Sequence, residues 1–257
     1  SISCFPMSLA APKIVERIHR YGKNVHLLDD PAHEKILSSF CEDRVVQPEA
    51  NRMVRRLSEF LVIQAVNYLF PLSRQAVKTR MLAYHKEASF ETSLIDPESR
   101  AIVVDLMRAG ILPSQVVYEF LHDVLPSAHI RQDHILMNRL VNDKEEVVGV
   151  RVSGHKIGGP IQDAFVFIPD PMGATGSSIE HILKLYQSLN LGTAKKFIAL
   201  HFIVTPEYLK RLEPLAGIIE IFALRLDRGL SSAEVLKLTP GERWEEERGL
   251  NDKQYIV

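Results

Sequence analysis

Residues 165–183 read FVFIPDPMGATGSSIEHIL. The apolar run Phe165–Ile168 suits a strand buried on both faces. From about Ser178 to Leu189 apolar residues return at helical spacing. Between the two lie an aspartate, two glycines, a threonine and two serines. Strand, polar loop and helix form the repeating unit of an α/β protein, and such loops bind ligands.

The same alternation extends on both sides. AIVVDL, residues 101–106, reads as a buried strand followed by a helix in PSQVVYEFLHDVL. HILMNRL is the next strand. KKFIALHFI, PEYLKRL and IIEIFALRL read as strand, helix and strand. This order predicts a Rossmann-like, mainly parallel sheet with helices on both faces. Residues 141–159, VNDKEEVVGVRVSGHKIGG, carry two valine-rich pieces and many turn formers, which predict a hairpin. The first hundred residues read mostly as helix. VERIHRYG, PAHEKILSSFCED, PEANRMVRRLSEFLVIQAVNYLF and SRQAVKTRMLAYHK are each expected to be helical. In the third of these, Met53, Leu57, Leu61 and Ala65 share one face, and Pro71 ends it. The apolar faces near residues 53–69 and 116–125 are core rather than partner grooves.

A formal net charge of -1 argues against a general nucleic-acid or membrane-surface binder. No run of about 20 apolar residues is present to span a membrane. The opening SISCFPMSLAAP lacks a basic region followed by a long apolar core. Cys4 and Cys41 make no disulfide framework, and a reducing, cytoplasmic setting is expected. The ten histidines are scattered without ligand spacing.

Residues 168–178 have the chemistry of a phosphate cradle. Gly173 and Gly176 permit tight turns and close backbone approach. Thr175, Ser177 and Ser178 offer hydroxyls, and amides at a helix start attract phosphate. Asp170 suits ribose hydroxyls or a divalent metal. Neither GxxxxGK[ST] nor GxGxxG is present. The same residues also suit a plain strand-to-helix turn with Ser178 as cap. Local chemistry leaves both readings open.

The loop IPDPMGATGSS resembles the phosphoribosyl-diphosphate loop of uracil phosphoribosyltransferases, commonly VDPMLATGGS. VVDLMRAG, residues 103–110, resembles that family's VVPILRAG. LPSAHIRQDHILMNR, residues 125–139, resembles its segment ending in MYR. GLNDKQYIV, residues 249–257, resembles the start of GLNxxGYIVPGLGD. The matches run in the family's order, and HLLDDPAHEKI adds a weaker likeness near the start.

The resemblance implies transfer of ribose 5-phosphate from phosphoribosyl diphosphate to uracil, giving UMP and diphosphate. It implies a phosphoribosyltransferase sheet with a hairpin arm at about 140–161 and a small hood. The core would span residues 100–257, with a base-binding segment at about 226–257. Residues 1–99 would pack on the core and contribute to the hood. Ala174, Thr175, Gly176, Ser177 and Ser178 would hold the 5-phosphate beside Met172 and Gly173, with Asp170 on the ribose hydroxyls. Arg108, Ala109 and Gly110 would form the diphosphate loop, with Arg139 facing the same side. Asp227, Tyr255 and Ile256 would lie by the uracil. Mg²⁺ would bind through the donor's own oxygens, without direct protein coordination. A homodimer or higher homo-oligomer is implied, with the arm embracing a second subunit. Read singly, Arg108 also suits a solvated strand end, Arg139 a partner of Asp143 or Glu145, Tyr255 a packing aromatic and Asp227 a turn cap.

Three departures stand out. Gly173 replaces the family's leucine and Ser177 its second glycine. Gly173 is expected to loosen the loop, while Ser177 adds a side chain where close approach matters. LDRGLS, residues 226–231, and GLNDKQYIV split the family's IDxGLN, with residues 232–248 between them. The family pattern continues past YIV with PGLGDAGDR, so the donor site is better specified than the acceptor site. A donor-binding regulatory homologue with little turnover, or a transferase for another base, remains as an alternative.

Overall fold

The computed structural model describes residues 13–227. Tyr255, Ile256 and residues 232–248 lie outside them.

The central sheet contains β1 (Val25–Leu27), β4 (Ala101–Met107), β5 (Ile130–Val141), β6 (Val147–Lys156), β7 (Phe165–Pro169), β8 (Met172–Gly173), β9 (Lys196–Val204) and β10 (Ile219–Leu226). Their order is β1-β10-β9-β7-β4-β5-β6, with β8 pairing β9. Every pairing is parallel except β5 with β6. The fold is thus α/β with a largely parallel sheet, as the alternation predicts. β7 is buried along its whole length. β9 is buried after Lys196, which accounts for its near-continuous apolar run.

Helices cover both faces. α1 (Pro31–Phe40), α2 (Glu49–Leu69) and α3 (Ile111–Val124) lie over one, and α4 (Ser177–Ser188) and α5 (Pro206–Leu212) over the other. Leu57, Leu61 and Ala65 of α2 are fully buried against Phe167, Leu200 and Phe222. Two separate apolar layers result, one on each side of the sheet.

Two expected helices are not formed. Residues 73–86 instead supply β2 (Leu72–Lys78) and lead through a short 3₁₀ turn to β3 (Ser89–Ile95), an antiparallel ribbon. Exposure alternates along β2, which is the period of a strand. The SFETSLI run supplies its partner, and Thr79 Oγ1 donates to Ala88 O at 2.8 Å across the turn. The VERIHRYG segment runs extended. Arg17 N–H donates to Leu27 O and Asp29 N–H to Val15 O, so its backbone is paired with the β1 side of the sheet.

The long hairpin joins β5 to β6 around Asn142, whose Oδ1 accepts from the amides of Lys144 and Glu146. Its base is held by Asp133, a fully buried carboxylate. Asp133 accepts from Arg131 Nε at 2.8 Å, Tyr186 Oη at 2.7 Å and Gly158 N at 3.0 Å.

Strand order decides where a ligand can enter. From β4 the chain steps outward to β5 and β6. From β7 it steps the other way, to β9 and β10. The reversal falls between β4 and β7. Beyond the carboxyl ends of two such strands a crevice opens, because their loops lead off in opposite directions. Residues 108–110 and 170–176 are those two loops.

Candidate active site

That crevice is a cleft of about 1380 Å³. Pockets that hold one drug-sized ligand measure about 300–1,000 Å³, so two reactants can share it. Among the expected site residues, Arg108, Ala109, Arg139, Asp170, Met172, Gly173, Ala174, Thr175, Gly176 and Ser178 all line it. Gly110 and Ser177 flank it. Asp227 follows β10 and is buried, its N–H donating to Val204 O at 2.8 Å.

Arg108 follows β4 directly, and the Met107–Arg108 peptide bond is cis. Gly110 then starts α3 in tight quarters. A Cβ there would lie 2.7 Å from Leu106 O and 2.8 Å from Pro169 O. Glycine at this position lets the ends of β4 and β7 approach, which holds the two loops of the cleft together.

The 170–176 loop is stitched to the start of α5. Thr205 N–H donates to Gly173 O at 3.1 Å, and Thr205 Oγ1–H to Ala174 O at 2.6 Å. The same Oγ1 accepts from Tyr208 N at 3.1 Å as the cap of α5. Carbonyl and N–H point opposite ways across a trans peptide. With the carbonyls of Gly173 and Ala174 turned to Thr205, the amides of Ala174 and Thr175 point the other way. Gly176 then takes φ +79 at the N-cap of α4, a conformation favouring glycine. Thr175 Oγ1 accepts from Ser177 N at 3.1 Å. Gly176, not Ser178, therefore caps α4, and Ser178 lines the cleft.

Gly173 does not loosen the loop. It is buried in β8, where a Cβ would lie 2.9 Å from Val204 Cγ1 and 3.0 Å from the Tyr208 ring. The space a larger side chain would need is filled by α5.

Asp170 is the carboxylate at the cleft floor. Burial pushes its carboxyl up to about 6, while the Met172 N–H and the positive charge of Arg139 pull the other way. The cleft leaves part of the residue open, yet protein surrounds the carboxyl. No described ion pair joins Arg139 to Asp143 or Glu145. Its charge acts on the cleft instead.

His201 and Tyr208 line the same cleft and are not evident from sequence motifs. The available signal is a histidine inside the otherwise apolar run FIALHFIV. Among the described residues, no three His, Cys, Asp or Glu side chains are grouped to hold a metal ion. No described helix is long and apolar enough to cross a membrane.

The uracil phosphoribosyltransferase family model matches residues 27–241 of the chain. A uracil phosphoribosyltransferase of Thermococcus sibiricus is 36% identical over 67 residues, which is 26% of this chain and 28% of that protein. The alignment thus spans little more than a quarter of that relative. In structure the chain is similar to the AQ2163 protein from Aquifex aeolicus, with a TM-score of 0.63 and 20% identity. The match covers 79% of this chain and 87% of that one. This likeness concerns the fold.

Proposed function

Because the chain belongs to the uracil phosphoribosyltransferase family, we propose that it transfers ribose 5-phosphate from phosphoribosyl diphosphate to a nucleobase, and that the base is uracil. The observation that carries this reading is the cleft. It gathers two arginines, one carboxylate and an amide-rich loop at the reversal of strand order.

The C1–diphosphate bond breaks, the C1–N1 bond forms, and N1 of the base gives up its proton. Charge accumulates on the diphosphate as positive character develops at C1. Arg108 and Arg139 offer rigid, multidentate donors for those oxygens. The amides of Ala174 and Thr175, with the Ser178 hydroxyl and the start of α4, suit the 5-phosphate. Gly176 and Ser177 set the turn that brings them there. Asp170 accepts from the ribose hydroxyls. Holding both reactants in one cleft supplies the positional part of the rate enhancement.

The donor set fits Mg²⁺ that arrives on the donor. Asp170 is the only carboxylate among the described lining residues, so it would reach the ion through water. When bound, Mg²⁺ offsets the diphosphate charge. Asp227, Tyr255 and Ile256 are assigned to the base side. On this reading the protein works in cytoplasmic pyrimidine salvage as a homodimer or larger homo-oligomer. Residues 1–99 pack on the core and contribute to its hood, residues 226–257 are its base-binding segment, and the β5–β6 hairpin is its arm.

The test is product formation from phosphoribosyl diphosphate, Mg²⁺ and a panel of free nucleobases. UMP from uracil alone is the expected result. Nucleotide from another base overturns the uracil assignment. Donor binding without turnover from any base overturns the enzymatic one in favour of a sensor.

A further inference from the structure

His201 and Tyr208 lie beneath the donor loop and have no part in the chemistry above. His201 is fully buried in the apolar middle of β9. Its Nδ1 is 2.5 Å from the Asp170 carbonyl oxygen. A carbonyl only accepts, so Nδ1 carries the hydrogen. Burial lowers the imidazole to about 4, with the bond to Asp170 opposing. The ring is therefore neutral near pH 7. Its Nε2 is then an acceptor, and Tyr208 Oη donates to it at 2.5 Å. The phenol is held protonated by burial and by the charge of Asp170. One directed chain results: Tyr208 O–H to His201 Nε2, and His201 Nδ1–H to Asp170 O.

Tyr208 also braces the loop. Its ring fills the space facing Gly173, and its N–H bonds the Thr205 hydroxyl that donates to Ala174 O. One residue thus bears on both halves of the expected donor site, its side chain on His201 and Gly173 and its backbone N–H on Thr205. Through His201 it fixes Asp170, assigned to the ribose hydroxyls. Through Gly173 and Thr205 it fixes the start of the phosphate loop. An apolar pair would pack here without the cost of burying polar groups, so the hydrogen bonds serve the site better than they serve the core.

We propose that His201 and Tyr208 are positioning residues that hold Asp170 and the 174–178 loop at the separation one ribose 5-phosphate requires. Any side chain larger than glycine at 173 would meet Val204 and the Tyr208 ring at about 3 Å. Gly173 and Tyr208 are therefore a matched pair.

The proposal rests on reading the cleft as the donor site, and the test separates the two. Binding of phosphoribosyl diphosphate with Mg²⁺ is titrated calorimetrically to wild type, His201→Asn, His201→Gln and Tyr208→Phe. Melting temperatures are recorded in parallel. Asparagine places an N–H near the Nδ1 position and keeps the bond to Asp170. Glutamine places its amide near Nε2 and keeps only the Tyr208 side. We expect His201→Asn to bind within about threefold of wild type and His201→Gln about tenfold more weakly, the worth of one buried hydrogen bond. A merely structural histidine would penalise both alike. Tyr208→Phe keeps the ring against Gly173 and decides the matter if the histidine variants do not fold. Donor binding should weaken about threefold, as for His201→Asn, which loses the same hydrogen bond, with the KM for base unchanged. Equal affinities for His201→Asn and His201→Gln, or wild-type binding by Tyr208→Phe, overturn the brace while the donor site stands. No binding by folded wild type overturns the donor site and the brace together.

Discussion

Replacing Asp170 with asparagine should stabilise the chain and impair donor binding at once. The carboxyl titrates at about 6 in the folded protein, against an ordinary 3.8. The folded state therefore holds this proton more tightly than the unfolded state does. From 3.8 to about 6 is roughly two pH units, or about 3 kcal/mol at 1.36 kcal/mol per unit. The sign follows from linkage. Between those values the folded chain carries more protons, so stability falls as pH rises through the window. Above pH 7 the wild type bears the whole cost of a buried carboxylate, and below about 4 it bears none. The asparagine variant is neutral throughout and still accepts the Met172 N–H through its amide oxygen. Arg139 loses its partner charge, which takes back part of the gain. We expect about 2 kcal/mol of net stabilisation at pH 8, shrinking towards zero near pH 4. Urea unfolding at a series of pH values measures it. Donor binding at pH 8 should fall at least about tenfold, because the amide NH₂ faces hydroxyls that need an acceptor. In the wild type, donor affinity should drop as pH falls below about 6. Wild type and variant stabilities that run parallel from pH 4 to 8 would refute the buried-carboxylate argument. Unchanged donor binding would refute the ribose assignment.

Arg108→Ala should lower kcat by about 10²–10³, since the diphosphate charge its guanidinium meets grows as that group departs, with little change in melting temperature; steady-state kinetics on a folded variant decide it. Gly110→Ala should destabilise by about 1–3 kcal/mol, because its Cβ would meet two backbone carbonyls closer than 3 Å; chemical denaturation reads this out. Thr205→Val removes the cap of α5 and the donor to Ala174 O. A loss of about 1–2 kcal/mol should be accompanied by a raised donor KM, and an unchanged KM would detach the loop from this anchor. Asp133→Asn leaves the half-buried Arg131 without its charge partner and weakens the hydrogen bonds gathered on a fully buried carboxylate, and should cost about 1–3 kcal/mol by the same denaturation assay.

Much of the fold is legible because the parallel strands are buried on both faces. FVFI, AIVV and FIALHFI are nearly uninterrupted apolar runs, and the helices between them show clean spacing. The ribbon at residues 72–95 is not legible in that way. SRQAVKTRMLAYHK tolerates both a helical and an alternating reading, since its charges fall on the exposed side in either. Its partner SFETSLI settles the matter, and a cross-strand partner lies outside any local window. VERIHRYG misleads for the same reason, because its backbone hydrogen-bond partners are Leu27 and Asp29 on the far side of a turn.

The candidate site divides along the same line. Arg108, Arg139, Asp170 and the 174–178 loop sit at strand ends and in motif-bearing segments, so sequence brings them forward. His201 and Tyr208 sit mid-strand and in the first turn of a helix, where each reads as core. What links them to the cleft is the pairing of β8 with β9 and the closeness of α5, neither of which leaves a local trace. Gly173 shows the consequence. In the loop alone, a glycine for leucine reads as lost rigidity. In the folded chain the lost volume is returned by Tyr208 from 35 residues further on, together with a hydroxyl that leucine lacks. A departure from a family motif is therefore weighed against whatever occupies the space it leaves, and here the occupant ties the loop to the residue assigned to the ribose.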